Sequence, residues 1–304
     1  MIRLKEIVKD AYVVKGYKQE DMDSCVYMID TKSDDGLILI DAGLYLAPIQ
    51  AIEKEGFRIK DIKHCLLTHG HLDHFGVCGK LKKLNEEIKF YAHEYDIEKI
   101  EQKQDEGSIR LYYGDYEFNT IKITNPIRKD NEILKIGPYN FRCIHIPGHT
   151  SGSVAYLLEI ADKKVLFAGD VPGLVLKSRG GNLENYINSI QKLLSLRVDI
   201  MCEGHEDIIQ PAEKVSKFLN NYIEFNKNIH IIVEVDPKNL TAIRTLTLIA
   251  YELEFYGNAL ELCNYWLKID PNNQQAEKLL EKIKSHNPVE SNFLEPLIKE
   301  NFGG

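Results

Sequence analysis

The sequence lacks the features that mark several common classes of protein. No window approaches the ~20 consecutive apolar residues that a membrane-spanning helix requires, and the opening MIRLKEIVKD has no apolar stretch like that of a secretory signal. Basic residues are in deficit, since 38 Lys and Arg stand against 46 Asp and Glu and the formal net charge is −8. A surface of this sign repels phosphate backbones. We therefore expect neither a membrane nor a nucleic acid as partner.

Closely spaced cysteine pairs are also missing. The six cysteines are scattered along 304 residues without a CxxC motif, which indicates reduced and mostly buried thiols in a cytoplasmic protein. By contrast, apolar residues make up 44% and charged residues 28% of the chain, a balance typical of a globular protein with a real core. This length favours one large domain with an appendage.

Short β-rich segments alternate with helical ones up to about residue 210. Strands are predicted at 7–14, 25–29, 37–40, 64–67, near 90, and at 141–146, 154–159, 164–168 and 200–202, and helices at 47–55, 77–85 and 183–196. The early strands follow one another closely, as antiparallel strands do, and the later ones alternate with helices. The pattern predicts two β-sheets covered by helices.

The stretch 99–129 has weak periodicity but is rich in aromatic residues, with Tyr112, Tyr113, Tyr116 and Phe118. An insertion that packs its own aromatic side chains explains this composition. The alternative is a lid or wall of a substrate pocket, because long insertions often carry binding residues.

The pattern is purely helical from about residue 212 onward. Asp236 and Asp270, each followed by proline, lie 34 residues apart, and so do Ala242 and Ala276. A period of 34 residues in a helical region is typical of tetratricopeptide repeats. The segment resembles one such repeat and the first helix of another.

The helices of this repeat are predicted at 240–255 and 259–269, with Gly257 at the turn between them. About three repeats are needed for a self-supporting stack. The segment must therefore bury its apolar face against the main domain or against a second copy in a homodimer. A helical hairpin unrelated to such repeats is the alternative.

Candidate metal ligands are concentrated in the segment that follows the apolar residues 64–67. His69, His71, Asp73 and His74 form the pattern HxHxDH within six residues. A strand that ends in a glycine-containing loop lets neighbouring side chains converge on one point. Neutral imidazole and carboxylate suit zinc, iron and similar divalent metals, so this segment predicts a metal site.

Three later segments contribute further candidate ligands. His149 follows a predicted strand in the turn PGHTSGS, Asp170 ends the apolar segment LFAGD, and His205 ends the strand-like segment IMCEGH. Each segment alone is weak, because a polar residue after a strand is usually part of a turn. Their order after the HxHxDH motif makes the set specific.

With these motifs the chain resembles the metallo-β-lactamase-fold hydrolases over roughly residues 1–226, including the turn Leu39-Ile40-Asp41-Ala42-Gly43. The resemblance implies an α/β fold, the four-layer αββα sandwich, with a metal site at one edge and a small all-α tetratricopeptide-like tail at 227–304. It also implies two metals. One would be held by His69, His71 and His149, the other by Asp73, His74 and His205, and both by Asp170.

The residues at and around the ligand positions also indicate which branch of this family the chain resembles. Aspartate at position 170, where two-zinc β-lactamases have cysteine, resembles the glyoxalase II, lactonase, ribonuclease Z and flavoprotein branches. His71 is intact, unlike in most flavoproteins. The segment Val171-Pro172-Gly173-Leu174 lacks the tyrosine usual in quorum lactonases. The C-terminal helices show no basic set that matches the glutathione site of glyoxalase II.

These resemblances predict a dinuclear metal-dependent hydrolase of a small ester, thioester or lactone, acting through a metal-bridging hydroxide. Zinc is expected, with iron or manganese as alternatives. Asp73 would also orient the hydroxide or shuttle a proton. The alternative functions are an iron-dependent sulfur dioxygenase and a phosphodiesterase or ribonuclease of the same fold.

Glu203, beside the last ligand, is a candidate for a supporting hydrogen bond, with a solvated loop carboxylate as the alternative. The histidines outside the pattern are expected to be structural or surface residues. They are His64, His93, His145, His230 and His286.

Overall fold

The computed structural model divides this chain into two compact units. The described residues are 4–14, 23–102, 118–173, 175, 180–205, 208–289, 291–294 and 297–298. The first unit comprises Met1–Ser189 and Arg197–Val215, and the second comprises Ile190–Leu196 and Ser216–Gly304. The domain boundary near residue 226 remains a prediction.

One sheet of the first unit contains seven strands in the order β1 to β7. They are β1 (Leu4–Val8), β2 (Ala11–Val14), β3 (Val26–Asp30), β4 (Leu37–Ile40), β5 (Ile62–Leu66), β6 (Lys89–His93) and β7 (Asn125–Ile127). Strands β1 to β4 pair antiparallel, and β4 to β7 pair parallel. The prediction of antiparallel early strands is confirmed. The single strand predicted at 7–14 is wrong, because Asp10 has a φ of 65° and separates β1 from β2.

The other sheet contains five strands in the order β12-β11-β10-β9-β8. They are β8 (Glu132–Ile136), β9 (Tyr139–His145), β10 (Val154–Ile160), β11 (Lys163–Phe167) and β12 (Ile200–Cys202). Strands β11 and β12 pair parallel, whereas the other neighbours pair antiparallel.

Strand β4 illustrates how both faces of the seven-stranded sheet are covered. All four residues of β4 are buried. Leu37 and Leu39 belong to the core shared with the helices, while Ile38 and Ile40 belong to the core between the two sheets. A strand that is covered on both faces is apolar throughout, which explains why the sequence LILI does not alternate.

Helices pack on the outer face of the seven-stranded sheet. They are α1 (Ala47–Lys54), α2 (Leu72–Phe75), α3 (Cys78–Leu84) and α4 (Ile97–Gln102), while α5 (Leu183–Ser195) follows later in the chain. Ile52 of α1, Leu81 of α3 and Ile100 of α4 share one buried cluster with Leu39 of β4. Two packed sheets with helices confirm the predicted α/β sandwich.

Several strands end at the same edge of the sandwich. Parallel pairing brings the carboxyl ends of β4, β5 and β6 to one edge, and it does the same for β11 and β12 in the other sheet. Two hydrogen bonds join the sheets there. The hydroxyl of Tyr156 donates to the carbonyl of Leu67 over 2.7 Å, and the amide of Val154 donates to the carbonyl of Thr68 over 2.8 Å. These bonds position the segment after β5.

The described residues of the second unit form helices and their connections. The helical segments are α6 (Ala212–His230), which begins in the first unit, the π-helical turn Ile231–Val235, α7 (Leu240–Glu252), α8 (Tyr256–Ile269) and α9 (Gln274–Lys284). Asn239 and Asn273, 34 residues apart, cap α7 and α9 by accepting hydrogen bonds from the amides of Ala242 and Ala276. The two N-terminal caps thus repeat the 34-residue spacing found in the sequence. The assignment of these helices to tetratricopeptide repeats remains a prediction.

The connection between α7 and α8 differs from the one predicted. Gly257 lies within the first turn of α8, which begins at Tyr256, and does not form the turn between the helices. The chain reverses just before, where Glu254 has a φ of 64°. A left-handed residue commonly follows the end of a helix. Glutamate takes this position here, so a search for glycine misplaces the turn.

The insertion predicted at 99–129 is described only in part. Tyr112, Tyr113 and Tyr116 lie outside the described residues. Phe118 is buried and meets the ring of Phe75 edge-on, with the ring centroids 5.8 Å apart. This end of the insertion packs on the core, and the lid remains a prediction.

Two further expectations concern the burial of the thiols and the lack of a membrane-spanning helix. All six cysteines are buried, and the Sγ atoms of Cys65 and Cys78 lie 4.0 Å apart. Of the helices described, none combines the length and the apolar character needed to cross a bilayer.

Candidate metal centre

The segment after β5 forms a loop that leads into the single turn of α2. His69 and His71 lie in the loop, and α2 begins directly after His71 and carries Asp73 and His74. All four side chains are buried, with exposed fractions between 0 and 7%. Burying four polar groups within six residues is unfavourable unless they have partners. The partners come from the ends of β4, β9, β11 and β12.

The first group of donors gathers three imidazoles from two loops. Nδ1 of His71 lies 3.0 Å from Nε2 of His69 and 2.8 Å from Nε2 of His149, which follows β9. Together with a carboxylate oxygen of Asp170, these donor atoms lie within 4.8 Å of one another. Three nitrogens that converge in this way form one face of a coordination site.

The second group combines a carboxylate with two imidazoles. Oδ2 of Asp73 lies 3.4 Å from Nε2 of His74 and 3.2 Å from Nε2 of His205, which follows β12. The three donor atoms lie within 4.8 Å of one another. The structure therefore brings all seven predicted ligands together, in the two sets that the resemblance implies.

Asp170 lies between the two groups and faces both. Its Oδ2 is 3.1 Å from Nε2 of His149, in the first group. Its Oδ1 is 3.1 Å from Nε2 of His74 and 3.4 Å from Nε2 of His205, in the second group. The two oxygens of one carboxylate are thus divided between two sets of donors.

Burial and close neighbours arrange the charge of the site. Burial, reinforced by His74, holds the pKa of His69 well below its usual range, so this imidazole is neutral. Burial alone would raise the pKa of Asp73 and Asp170, but His74 and His205 outweigh it and lower both pKa values well below their usual range. The carboxylates in turn raise the pKa of His74 and His205 well above the ordinary value, against the effect of burial. Both carboxylates are therefore ionised, which is the form that binds a cation.

These residues fit a pair of divalent cations. The seven side chains offer imidazole nitrogens and carboxylate oxygens, the donors that zinc and iron bind. Nε2 of His74 and Oδ1 of Asp170 are buried, and neither has a hydrogen bond among the described residues. Such atoms are expected to have a partner, and a cation would provide one for both.

Asp41 supports the loop and one imidazole of the site. Its carboxylate accepts hydrogen bonds from the amide and the hydroxyl of Thr68, both over 2.8 Å, and it lies 2.8 Å from Nδ1 of His74. With Nδ1 held by Asp41, Nε2 of His74 is left to face Asp73 and Asp170. The sequence indicated Asp41 only as part of a turn, and Thr68 was missed. Their position at strand ends was the available signal.

Glu203 contributes the supporting hydrogen bond for which it was a candidate. It is buried, and both of its carboxylate oxygens lie 3.0 Å from the amide nitrogen of His205, which donates to them. This contact orients the backbone that carries the last ligand.

The histidines outside the pattern are not members of either group of donors. His64 shares a hydrogen bond of 2.9 Å with a tyrosine hydroxyl. The rings of His93 and His145 stack with their centroids 4.0 Å apart. His230 and His286 belong to the second unit.

Proteins similar to this chain include hydrolases. A hydroxyacylglutathione hydrolase of Haemophilus influenzae is 34% identical over 191 residues, which cover 57% of this chain and 82% of that protein. A probable metallo-hydrolase of Bacillus subtilis is 31% identical and covers 62% of this chain and 90% of its own length. A solved metallo-beta-lactamase from Elizabethkingia meningoseptica, 24% identical, superposes on 74% of this chain and 91% of its own with a TM-score of 0.60, which shows a shared fold.

The match to a known family covers more than half of the chain. The profile of the metallo-beta-lactamase superfamily matches residues 22–205. This range contains all seven donors of the two groups. The chain therefore belongs to the metallo-beta-lactamase superfamily and is a metal-dependent hydrolase.

Proposed function

We propose that this chain is a two-metal hydrolase of a small acyl thioester, within the broader class of esters, thioesters and lactones. The observation that carries the proposal is the position of Asp170, whose two oxygens face separate groups of donors. A carboxylate in that position can contact two cations at once. A centre for a single metal needs only one of the two groups.

The seven donors divide between two metals in this proposal. The first cation would be held by His69, His71 and His149, the second by Asp73, His74 and His205, and both by Asp170. Zinc is the expected metal, with iron or manganese as alternatives. When bound, two divalent cations polarise a substrate carbonyl and lower the pKa of water toward neutrality.

Asp73 is the residue that we assign to handling a proton. Its Oδ2 faces His74 and His205. Burial would raise the pKa of Asp73, but the adjoining His74 lowers it well below its usual range. The carboxylate is therefore ionised at neutral pH and would accept a hydrogen bond from the attacking water.

The chemistry of the leaving group favours a thioester. A thiolate leaves without prior protonation because the pKa of a thiol is only about 8.5, whereas an amine needs a proton donor. Asp73 and Asp170 are ionised and therefore poor donors, and the imidazoles of the site would be occupied as metal ligands. The relative from Haemophilus influenzae is named for hydroxyacylglutathione, an acylated thiol, which supports the same class.

Turnover of a substrate panel by the zinc-loaded protein tests this proposal. The panel contains S-lactoylglutathione, an acyl-homoserine lactone, bis(p-nitrophenyl) phosphate and a cephalosporin. We expect kcat/KM for the thioester to exceed the other values by about tenfold or more. Fastest turnover of the phosphodiester would contradict the proposal, and so would oxygen consumption with a persulfide in place of hydrolysis.

Variants of the site connect the turnover to the metals. His71→Ala and Asp170→Ala should each lower the metal content below two per chain and reduce kcat/KM by about a thousandfold, with an unchanged circular dichroism spectrum. His286→Ala, an exposed histidine of the second unit, is the control. Parental turnover in the two site variants would refute the mechanism.

A further inference from the structure

A buried carboxylate that belongs to neither group of donors lies beside the site. Asp96 ends the short helical turn Glu94–Asp96 after β6, and its side chain has no exposed surface. Its Oδ2 accepts hydrogen bonds from the amide of Gly70 over 2.9 Å and from Oγ1 of Thr150 over 2.5 Å. Its Oδ1 accepts a hydrogen bond from the amide of Gly152 over 3.2 Å.

These hydrogen bonds connect two separate ligand loops. Gly70 lies between the first two histidine ligands, in the loop after β5. Thr150 and Gly152 follow His149, in the loop after β9. Asp96 is therefore bonded on one side to the loop that carries two imidazoles of the first group, and on the other side to the loop that carries the third.

Close packing reinforces the hydrogen bonds. A Cβ atom added at Gly152 would stand 2.6 Å from Cγ of Asp96, and one added at Gly70 would stand 3.2 Å from its Cβ. The loop at Gly152 thus approaches the carboxylate more closely than a residue with a side chain allows, and the loop at Gly70 packs tightly against it. Lys99, 3.7 Å from Oδ1 and 21% exposed, provides a positive charge beside the buried carboxylate.

We propose that Asp96 is a positioning residue that joins the loop of His69 and His71 to the loop of His149. It holds the three imidazoles of the first group at the separation that a bound metal requires. The inference rests on the proposed metal set. The second group has a different support, since Asp41 bonds to His74. Loss of Asp96 should therefore weaken one metal site selectively.

Three variants separate this role from general stability. Asp96→Asn preserves side-chain size but removes the charge and one acceptor oxygen. The amide of Gly152 then loses its acceptor or, in the other orientation of the side-chain amide, Gly70 and Thr150 lose theirs. Thr150→Val removes the hydrogen bond to Asp96, together with one shared with the hydroxyl of Ser153, and keeps the carboxylate, so it carries the test should the first variant not fold. Glu261→Gln is the matched control, because Glu261 is a buried carboxylate of the second unit that accepts the amides of Phe293 and Leu294 over 2.7 and 2.8 Å.

Zinc affinity measured by competition with a chromophoric chelator reports on each site. The unsubstituted protein should bind two zinc ions. In Asp96→Asn, one affinity should fall by about 10–100-fold while the other changes by less than about threefold. Thr150→Val should weaken zinc binding at the same site by about 3–10-fold. Glu261→Gln should leave the zinc affinity of both sites unchanged. The activity that Asp96→Asn loses at limiting zinc should return when zinc is in excess.

Two further backgrounds identify which site is weakened. His205→Ala disables the second group, so adding Asp96→Asn should lower the remaining zinc affinity by about 10–100-fold. His149→Ala disables the first group, so the same addition should change the remaining affinity by less than about threefold.

Three results would overturn the role of Asp96. They are equal weakening of both sites, unchanged affinity in folded Asp96→Asn protein, and an effect confined to the His149→Ala background. An unsubstituted protein that binds fewer than two zinc ions would overturn the two-metal function on which this inference rests. The two failures are distinguishable, since one is measured on the variants and the other on the unsubstituted chain.

Discussion

Gly204 shows how closely the backbone approaches the carboxylate that faces both groups of donors. A Cβ atom at this position would stand 2.4 Å from Oδ1 of Asp170 and 3.0 Å from Cε1 of His74. The Gly204 amide also donates to the carbonyl of Gly169 over 2.9 Å, so the backbone cannot easily withdraw. Glycine is therefore required for Asp170 to keep its place.

Substitution of this glycine should damage the metal site more than the fold. We expect Gly204→Ala to lower zinc affinity and activity by about tenfold or more, because the added methyl group displaces Asp170. Gly56→Ala is the control, with a φ of 94° and no atom within 4 Å of the added Cβ. It should reduce stability by about 1 kcal/mol and leave zinc affinity unchanged. Equal zinc affinities in the two variants would contradict this expectation.

At the scale of elements, β5 and β6 carry buried histidines as well as the loops of the site. Burial lowers the pKa of His64 on β5 to about 4, and burial together with the neighbouring His145 does the same for His93 on β6. Both imidazoles are therefore neutral in the folded state at neutral pH. In the unfolded chain they accept protons near a pKa of about 6.5.

This difference predicts acid sensitivity of the fold. Between about pH 6.5 and 4 the unfolded chain binds protons that the folded chain does not, so stability present above pH 6.5 is lost as the pH falls, by an amount on the order of 3–5 kcal/mol for both histidines. Urea unfolding across this range should show a smaller loss for the double variant His64→Gln, His93→Gln. The exposed His286→Gln should behave like the parent. A double variant with the parental pH dependence would contradict the assignment.

The sequence predicted some strands more accurately than others. The predicted bounds of β4 and β12 match the structure, since each is a short buried apolar segment between turns. Strand β8 was missed because four of its five residues are half-buried or exposed, Ile133 among them. Such a strand depends on pairing with its neighbour β9 more than on its own composition. Such pairing is a tertiary property.

At the scale of the whole molecule, the site depends on loops that are distant in the chain. His69 and His205 come from the two sheets, and Asp170 stands between them. A metal bound by these donors would therefore tie the strand ends of the sandwich together. The helices α7, α8 and α9 of the second unit contribute no donor to either group.

Removal of metal should therefore loosen one edge of the molecule. Hydrogen exchange of zinc-loaded and chelator-treated protein should differ in residues 67–76, 148–153, 168–171 and 202–205, and helices α7 to α9 should exchange alike in both. Zinc at about 1,000 times its Kd stabilises the folded state by about 4 kcal/mol per site. Faster exchange spread evenly over both units would contradict this picture.

Other expectations at this scale remain predictions. The homodimer through the C-terminal helices, the tetratricopeptide-like nature of these helices and the cytoplasmic location are among them. Leu240 and Leu248 of α7 are exposed apolar side chains, which is compatible with a covered face but also common on monomer surfaces.

The sequence by itself determined the superfamily, the α/β class and the identity of the candidate donors. These features are carried by local patterns, such as HxHxDH after an apolar strand, and local patterns survive in a linear sequence. Only the tertiary structure decided that Asp170 divides its oxygens between two groups and that Asp41 and Asp96 support them. Those contacts join residues from different strand ends. Strand order and pairing bring them together, and no spacing along the chain encodes that arrangement.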